Sequence, residues 1–137
     1  MKNNRNFSIA CLLLRFAVGG LMLFHGIHKL LHGFEGIKFL LKQANLPEWL
    51  WIGVPVGEVI APILIVLGVY TRVSSALVAF TMLLSMYLAY GWHSFDISAV
   101  GGLKAELNIL FLLAAIAIML LGHGKYAIQK KDKGFWS

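Results

Sequence analysis

Residues 15–29 read RFAVGGLMLFHGIHK and lie within an apolar run, residues 7–31, that is long enough to cross a bilayer. At 100° per residue, Arg15, His25 and Lys29 fall within about 80° of one another, so they form a polar stripe on one side of a helix. A charged side chain in hydrocarbon costs roughly 2.5–3.5 kcal/mol on insertion scales. We therefore expect Arg15 to face other helices and not lipid.

Three glycines follow the edge of this stripe at intervals of seven residues, namely Gly19, Gly26 and Gly33. A glycine has no side chain, so a row of them lets the backbone of a second membrane helix approach closely. The spacing predicts a helix–helix interface along this edge.

The composition is typical of a membrane protein. Of the 137 residues, 59% are hydrophobic and only 13% are charged, and the mean hydropathy is +0.78. The net charge of +6 does not indicate a nucleic-acid partner, because the basic residues lie at the ends of apolar runs, where they set orientation in the bilayer. Cys11 is the only cysteine, which excludes an intrachain disulfide and a CxxC redox pair. Redox chemistry would therefore need an external cofactor or a partner protein.

The pattern of apolar runs predicts an all-α integral membrane bundle that forms a single domain over residues 1–137. Four transmembrane helices are expected, at about residues 7–31, 50–70, 73–92 and 104–122. Between the first two, residues 34–44 place their apolar side chains on one face and stop before Pro47, which indicates a short helix in the membrane interface.

The distribution of basic residues predicts the orientation. Seven lysines and arginines belong to the N-terminus, the connection at residues 70–73 and the basic tail at residues 123–137, whereas three belong to the opposite side. By the positive-inside rule both termini are expected in the cytoplasm, with the two long connections outside. The seven are Lys2, Arg5, Arg72, Lys125, Lys130, Lys131 and Lys133, and the three are Lys38, Lys42 and Lys104.

The second span carries an acid, Glu58, four residues before Pro62. Proline has no N–H, so the carbonyl of Glu58 loses its helical partner. Helical rise places His25 about 9 Å and Glu58 about 12 Å below the outer boundary, which makes them nearly level. We expect the buried polar groups to pair with one another, with Glu58 between two cations of the first helix. The expected cluster, which opens toward the outer face, comprises Arg15, His25, Lys29, Glu58 and Glu106.

These groups could form three kinds of site. A metal site could be built from side chains near the outer boundary, namely His28, His32, His93 and Asp96, but histidines at membrane ends are common. Haem would need a second deep histidine opposite His25, and none is evident, so metal and haem are both disfavoured. A pocket for a small amphipathic molecule fits better, because acid, histidine and lysine can bind a polar head while leucines and aromatic residues surround a tail. A quinone or a lipid would suit such a pocket.

Several residues in this order resemble the DoxX family. The resemblance covers residues 10–126. The residues that carry it are Arg15, Gly19, His25, Gly26 and Lys29 in the first helix, Glu58 and then LGVYTR at residues 67–72, Met82 in the third helix and Glu106 in the fourth. The family usually closes on a pattern like GPGRYSLD. Here residues 122–128 read GHGKYAI, so the proline, the arginine and the final acid are replaced.

The resemblance implies a multi-pass, four-helix protein of the bacterial cytoplasmic membrane. It also implies an association with redox work, in different branches with thiosulfate–quinone oxidation, with quinone or catechol stress, or with oxidative-stress complexes. Most members have no established activity, so the resemblance implies an association with redox function but no particular reaction.

Two functions of different classes follow. The first is a membrane subunit that binds a quinone-like or other small amphipathic molecule and works with a redox partner, at most as part of an oxidoreductase, since no stand-alone catalytic motif is present. The second is a non-catalytic scaffold or assembly factor, for which the polar cluster only holds the helices together. Self-association into a homo-oligomer is compatible with both. A transporter is disfavoured, because four short helices without an inverted repeat leave little room for alternating access.

Overall fold

A computed structural model describes residues 5–129, and this part of the chain is helical apart from turns and an isolated bridge between Ile97 and Leu103. Lys2, Lys130, Lys131 and Lys133, which entered the orientation prediction, lie outside the described residues. The helices are α1 (Arg5–His32), α2 (Glu35–Gln43), α3 (Glu48–Leu67), α4 (Thr71–Ala89) and α5 (Glu106–Leu121), and a 3₁₀ turn (Gly91–Phe95) follows α4.

Three of these helices, α1, α3 and α4, are long and apolar enough to cross a membrane. The prediction of an all-helical protein with membrane-spanning helices is therefore confirmed. Helix α5 is equally apolar but has 16 residues, or about 24 Å of rise against about 30 Å of hydrocarbon, so a fourth span stays a prediction. Helix α2 forms where a short helix was expected, and its location in the membrane interface also stays a prediction.

The core lies between α1, α3, α4 and α5. It consists of small and medium apolar side chains, which allow close helix packing: Val18, Met22, Ala61, Ile65, Val78, Met82, Phe111, Ala115 and Ile118. Large apolar side chains on the outer faces, such as Leu13, Phe24 and Phe80, are exposed. In water this surface would be unfavourable, and in a bilayer it contacts lipid.

The predicted glycine interface forms between α1 and α3. A Cβ atom at Gly19 would lie 2.7 Å from the carbonyl oxygen of Pro62, and one at Gly26 would overlap the carbonyl oxygen of Glu58. Gly33 does not belong to this interface, and here the prediction was wrong. Gly33 follows the last residue of α1 with φ 87°, a conformation open to glycine, and no atom lies within 4 Å of a Cβ built there.

Both helices of this interface contain a π-helical turn at the contact, Phe16–Gly20 in α1 and Val56–Ile60 in α3. Pro62 lies in the first turn of the α-helical segment that follows the second of these. A π turn has wider i→i+5 hydrogen bonding and shifts the angular position of every residue beyond it. Side chains on the two sides of the turn therefore no longer share one regular stripe.

We predict that Gly26→Ala lowers the melting temperature in detergent, because the new methyl group would meet the backbone of α3. Overpacking of this kind costs typically about 1–3 kcal/mol. Gly20→Ala is the matched control, since no atom lies within 4 Å of a Cβ there. That variant should be neutral or stabilised by roughly 0.5–1 kcal/mol through lower backbone entropy. Equal melting temperatures for the two variants would contradict the interface.

Candidate functional site

The centre of the candidate site is an ion pair between α1 and α3. The Nζ atom of Lys29 lies 2.6 Å from Oε1 of Glu58 and donates a hydrogen bond to it. The Glu58 side chain is only 3% exposed and that of Lys29 is 32% exposed. The second carboxylate oxygen of Glu58, Oε2, is buried and has no hydrogen-bond partner among the described residues. A buried acceptor without a donor is costly, so this atom is available for a ligand.

A cavity of about 380 Å³ lies beside this pair, between α2, α3 and α4. Its volume falls within the range of small-molecule sites. Apart from Lys29 and Glu58, its polar lining residues are Thr81 and Ser85 of α4. The remaining lining residues are apolar or glycine, namely Ile37, Leu40, Gly53, Val54, Val56, Gly57, Leu77, Phe80, Leu84, Leu88 and Ala89. We call this space the apolar cavity.

A second cavity of about 140 Å³ lies where α1, α3, α4 and α5 meet, and Lys29, Glu58 and Ser85 line both cavities. Its further polar lining residues are His25 and Asn108, and its apolar ones are Met22, Met82, Leu107 and Phe111. The Nδ2 atom of Asn108 donates to Oγ of Ser85 at 3.2 Å. We call this space the polar cavity. The ion pair thus separates a predominantly apolar space from a polar one.

His25 lies near the ion pair, as expected. Its ring is exposed, lines the polar cavity and makes an edge contact with Phe111, with 6.1 Å between ring centroids. His25 and Glu58 thus line one cavity, and their equal depth in the membrane stays a prediction.

Arg15 does not join this cluster, and the expectation that it flanks Glu58 was wrong. Its guanidinium is buried about four turns before Lys29 on α1, where it donates to the carbonyl oxygens of Ile65 at 2.8 Å and Val66 at 2.6 Å in α3. It also donates to those of His123 and Tyr126, after α5. Arg15 and Lys29 are fourteen residues apart, or about 21 Å of helical rise, so one carboxylate cannot contact both.

Glu106 is also absent from the cluster. It begins α5, it is exposed, and its carboxylate lies against Gly102 in the preceding connection. It lines neither cavity. The polar side chain of α5 that lines the polar cavity is Asn108, two residues later and about 200° away on the helix.

The histidines considered as metal ligands lie apart. The rings of His28 and His32 stack with 4.0 Å between centroids, and Nδ1 of His93 hydrogen-bonds to Asp96 at 2.7 Å. Within residues 5–129 no group of three or more His, Cys, Asp or Glu side chains is placed to hold a metal. The hydrogen bonds from His93 and then from Lys104 hold the pKa of the exposed Asp96 below its usual value.

Thr81, Ser85 and Asn108 line the cavities but were not among the candidate residues. Polar residues in apolar helices are common and often bond to their own backbone, as Thr81 does to the carbonyl of Leu77. One sequence signal for Ser85 was its spacing of four from Thr81, which places both on one face of α4.

The fold and the site together define a small helical membrane protein with a buried lysine–carboxylate pair between two cavities. The chain belongs to the DoxX family, whose family model matches residues 10–91. It is also similar to a protein of Bacillus subtilis (strain 168) named "Putative oxidoreductase CatD", with 29% identity over 119 residues, which cover 87% of this chain and 84% of that protein. No solved structure matches the chain.

We predict that a double-mutant cycle couples Glu58 to Lys29 and not to Arg15. Glu58→Gln should lower the free energy of unfolding, measured by titration with SDS in mixed micelles, because it leaves the Lys29 cation unpaired. The upper limit is roughly 3–5 kcal/mol for a broken buried pair, and the partial exposure of Lys29 reduces the loss.

Adding Lys29→Gln to Glu58→Gln should recover part of this stability, since two neutral amides can hydrogen-bond. Arg15→Gln is the control, because Arg15 and Glu58 share no partner in the structure. Its effect should add to that of Glu58→Gln within about 0.5 kcal/mol. Additivity with Lys29→Gln, or coupling with Arg15→Gln, would contradict the arrangement described here.

Proposed function

We propose that this protein is a redox-associated membrane subunit that binds a quinone-like amphipathic molecule in the apolar cavity. The observation that carries this proposal is the position of the Lys29–Glu58 pair at the boundary of that cavity, with Oε2 of Glu58 unpartnered among the described residues. A polar head at the pair and an apolar tail among the leucines would satisfy both features.

The pair offers both kinds of hydrogen bond that a quinone or quinol head needs. The ammonium of Lys29 donates to a ring carbonyl, and Oε2 of Glu58 accepts from a ring hydroxyl. The leucines of α4 and α2 surround the tail, and burial of that tail supplies roughly 25 cal/mol for each Å² removed from water. Because the site offers a donor and an acceptor side by side, it suits the oxidised and the reduced head alike.

The redox association rests on the similar protein from B. subtilis, which is named "Putative oxidoreductase CatD". The chain itself has one cysteine, Cys11, which is buried in α1 close to Gly124 and lines neither cavity. In this proposal, electrons pass between the bound molecule and a partner protein, and this chain binds the molecule.

A scaffold role would need only a packed, fully paired polar cluster. The structure has a cavity on either side of the pair and a buried carboxylate oxygen without a partner among the described residues, so ligand binding is the better supported function.

Binding of decylubiquinone, a quinone with a short alkyl tail, tests the proposal directly on the purified protein. Leu84→Phe should weaken binding by about tenfold or more, or about 1.4 kcal/mol, because the larger ring occupies the apolar cavity. Leu83→Phe is the matched control, since Leu83 is 52% exposed on the outer surface and should bind as the unaltered protein does. Equal affinity in both variants, or no binding by the unaltered protein, would overturn the proposal.

We also propose that α5 completes four spans, that the protein lies in the bacterial cytoplasmic membrane, and that both termini are cytoplasmic, on the basis of the lysine and arginine distribution. Single cysteines introduced at Asn4 and Ser98 in a Cys11→Ala background test this topology in intact cells. A membrane-impermeant thiol reagent should label the Ser98→Cys protein and not the Asn4→Cys protein. External labelling at position 4 alone would show the opposite orientation. Labelling at neither or both positions would contradict the proposed topology.

A further inference from the structure

We propose that the polar cavity holds water and lets Glu58 exchange its proton with that water, with His25 at the exposed edge of the cavity. This inference rests on the proposed function, because it assigns a proton route to the same site that binds the amphipathic molecule.

The first support is the hydrogen-bonding capacity of the lining. A buried water molecule makes typically two to four hydrogen bonds to protein groups. The polar cavity offers donors and acceptors from four helices, namely His25, Lys29, Glu58, Ser85 and Asn108. Because Oε2 of Glu58 has no partner among the described side chains and backbone, a water molecule can donate to it. The volume of about 140 Å³ admits several water molecules, each of which occupies roughly 30 Å³ in the liquid.

The second support is where the polar cavity leads. Its lining runs from Glu58, which is 3% exposed, to His25, which is exposed on α1. The charged or titratable groups that line it are His25 and Lys29 from α1 and Glu58 from α3. Helices α4 and α5 contribute only uncharged side chains to it, and Glu106 lies outside, against Gly102. Besides the carboxylate of Glu58 itself, the charged or titratable groups along the polar cavity are therefore one ammonium and one imidazole.

The third support is the chemistry of the head that the proposed function places at the pair. When a ligand hydroxyl gives its proton to Glu58, its O–H bond breaks and a new O–H bond forms at Oε2. The ammonium of Lys29 balances the negative charge left on the ligand oxygen. The carboxyl group then passes the proton to water in the polar cavity and returns to its carboxylate form. Hydrocarbon offers no such route, since it contains no hydrogen-bonding partner for a proton.

Cysteine accessibility tests whether the polar cavity is hydrated. In a Cys11→Ala background, Asn108→Cys should react with water-soluble aminoethyl methanethiosulfonate about tenfold faster than Leu84→Cys, because apolar surroundings disfavour the thiolate that reacts. Leu84 lines the apolar cavity alone and is the matched control. If Asn108→Cys does not fold, Met82→Cys takes its place, since Met82 is buried and lines only the polar cavity. Equal rates at the two cavities would overturn the proposal.

Infrared spectroscopy tests the proton route itself. Acidification of the full chain should produce a carboxyl C=O band that Glu58→Gln lacks. In Asn108→Leu, whose larger apolar side chain takes up space in the polar cavity, this band should appear about tenfold or more slowly than in the unaltered protein. The reason is that the hydrated route is closed. An undelayed band in Asn108→Leu would overturn the route.

Decylubiquinone binding by the same variants separates the two proposals. Binding unchanged in Asn108→Leu, together with a delayed band, supports both. Unchanged binding with an undelayed band overturns the proton route and leaves the proposed function in place. If the unaltered protein does not bind the quinone, the proposed function fails, and the proton route that rests on it fails too.

Discussion

The close approach of α1 and α3 is the constraint on which the rest of the site depends. Gly19 and Gly26 bring the two backbones so near that a methyl group would overlap a carbonyl oxygen of α3. This approach lets the side chain of Lys29 reach Glu58 at 2.6 Å. A larger residue at either glycine would separate the helices and with them the two halves of the ion pair. The desolvation cost of the two charges is therefore offset by their attraction, because the backbone contact holds the two side chains together.

The sequence predicted the glycine interface at two of its three positions and the proximity of His25, Lys29 and Glu58. Those predictions needed only the spacing of residues on regular helices and the rise of 1.5 Å per residue. Short separations keep such estimates accurate. His25 and Lys29 are four residues apart and follow the π turn in α1, so the regular geometry still holds between them.

The predictions for Arg15, Gly33 and Glu106 were wrong. Arg15 precedes the π turn at Phe16–Gly20, and its hydrogen bonds are to backbone carbonyls that no sequence pattern marks. Gly33 ends α1 because of its positive φ, which heptad spacing does not encode. Glu106 was included for its charge, whereas the side chain directed into the bundle is the uncharged Asn108. The sequence indicated a pocket at these groups, but not its division into two cavities, which depends on how several helices pack at once.

The position of Arg15 has a consequence for the order in which the protein forms in the membrane. Because synthesis proceeds from the N-terminus, α1 is made before α5, whereas two of the four carbonyl partners of Arg15, those of His123 and Tyr126, follow α5. Until that segment emerges, the guanidinium lacks half of its acceptors and must keep contact with water or headgroups. The guanidinium therefore gains its full set of described carbonyl acceptors only when the segment after α5 is in place.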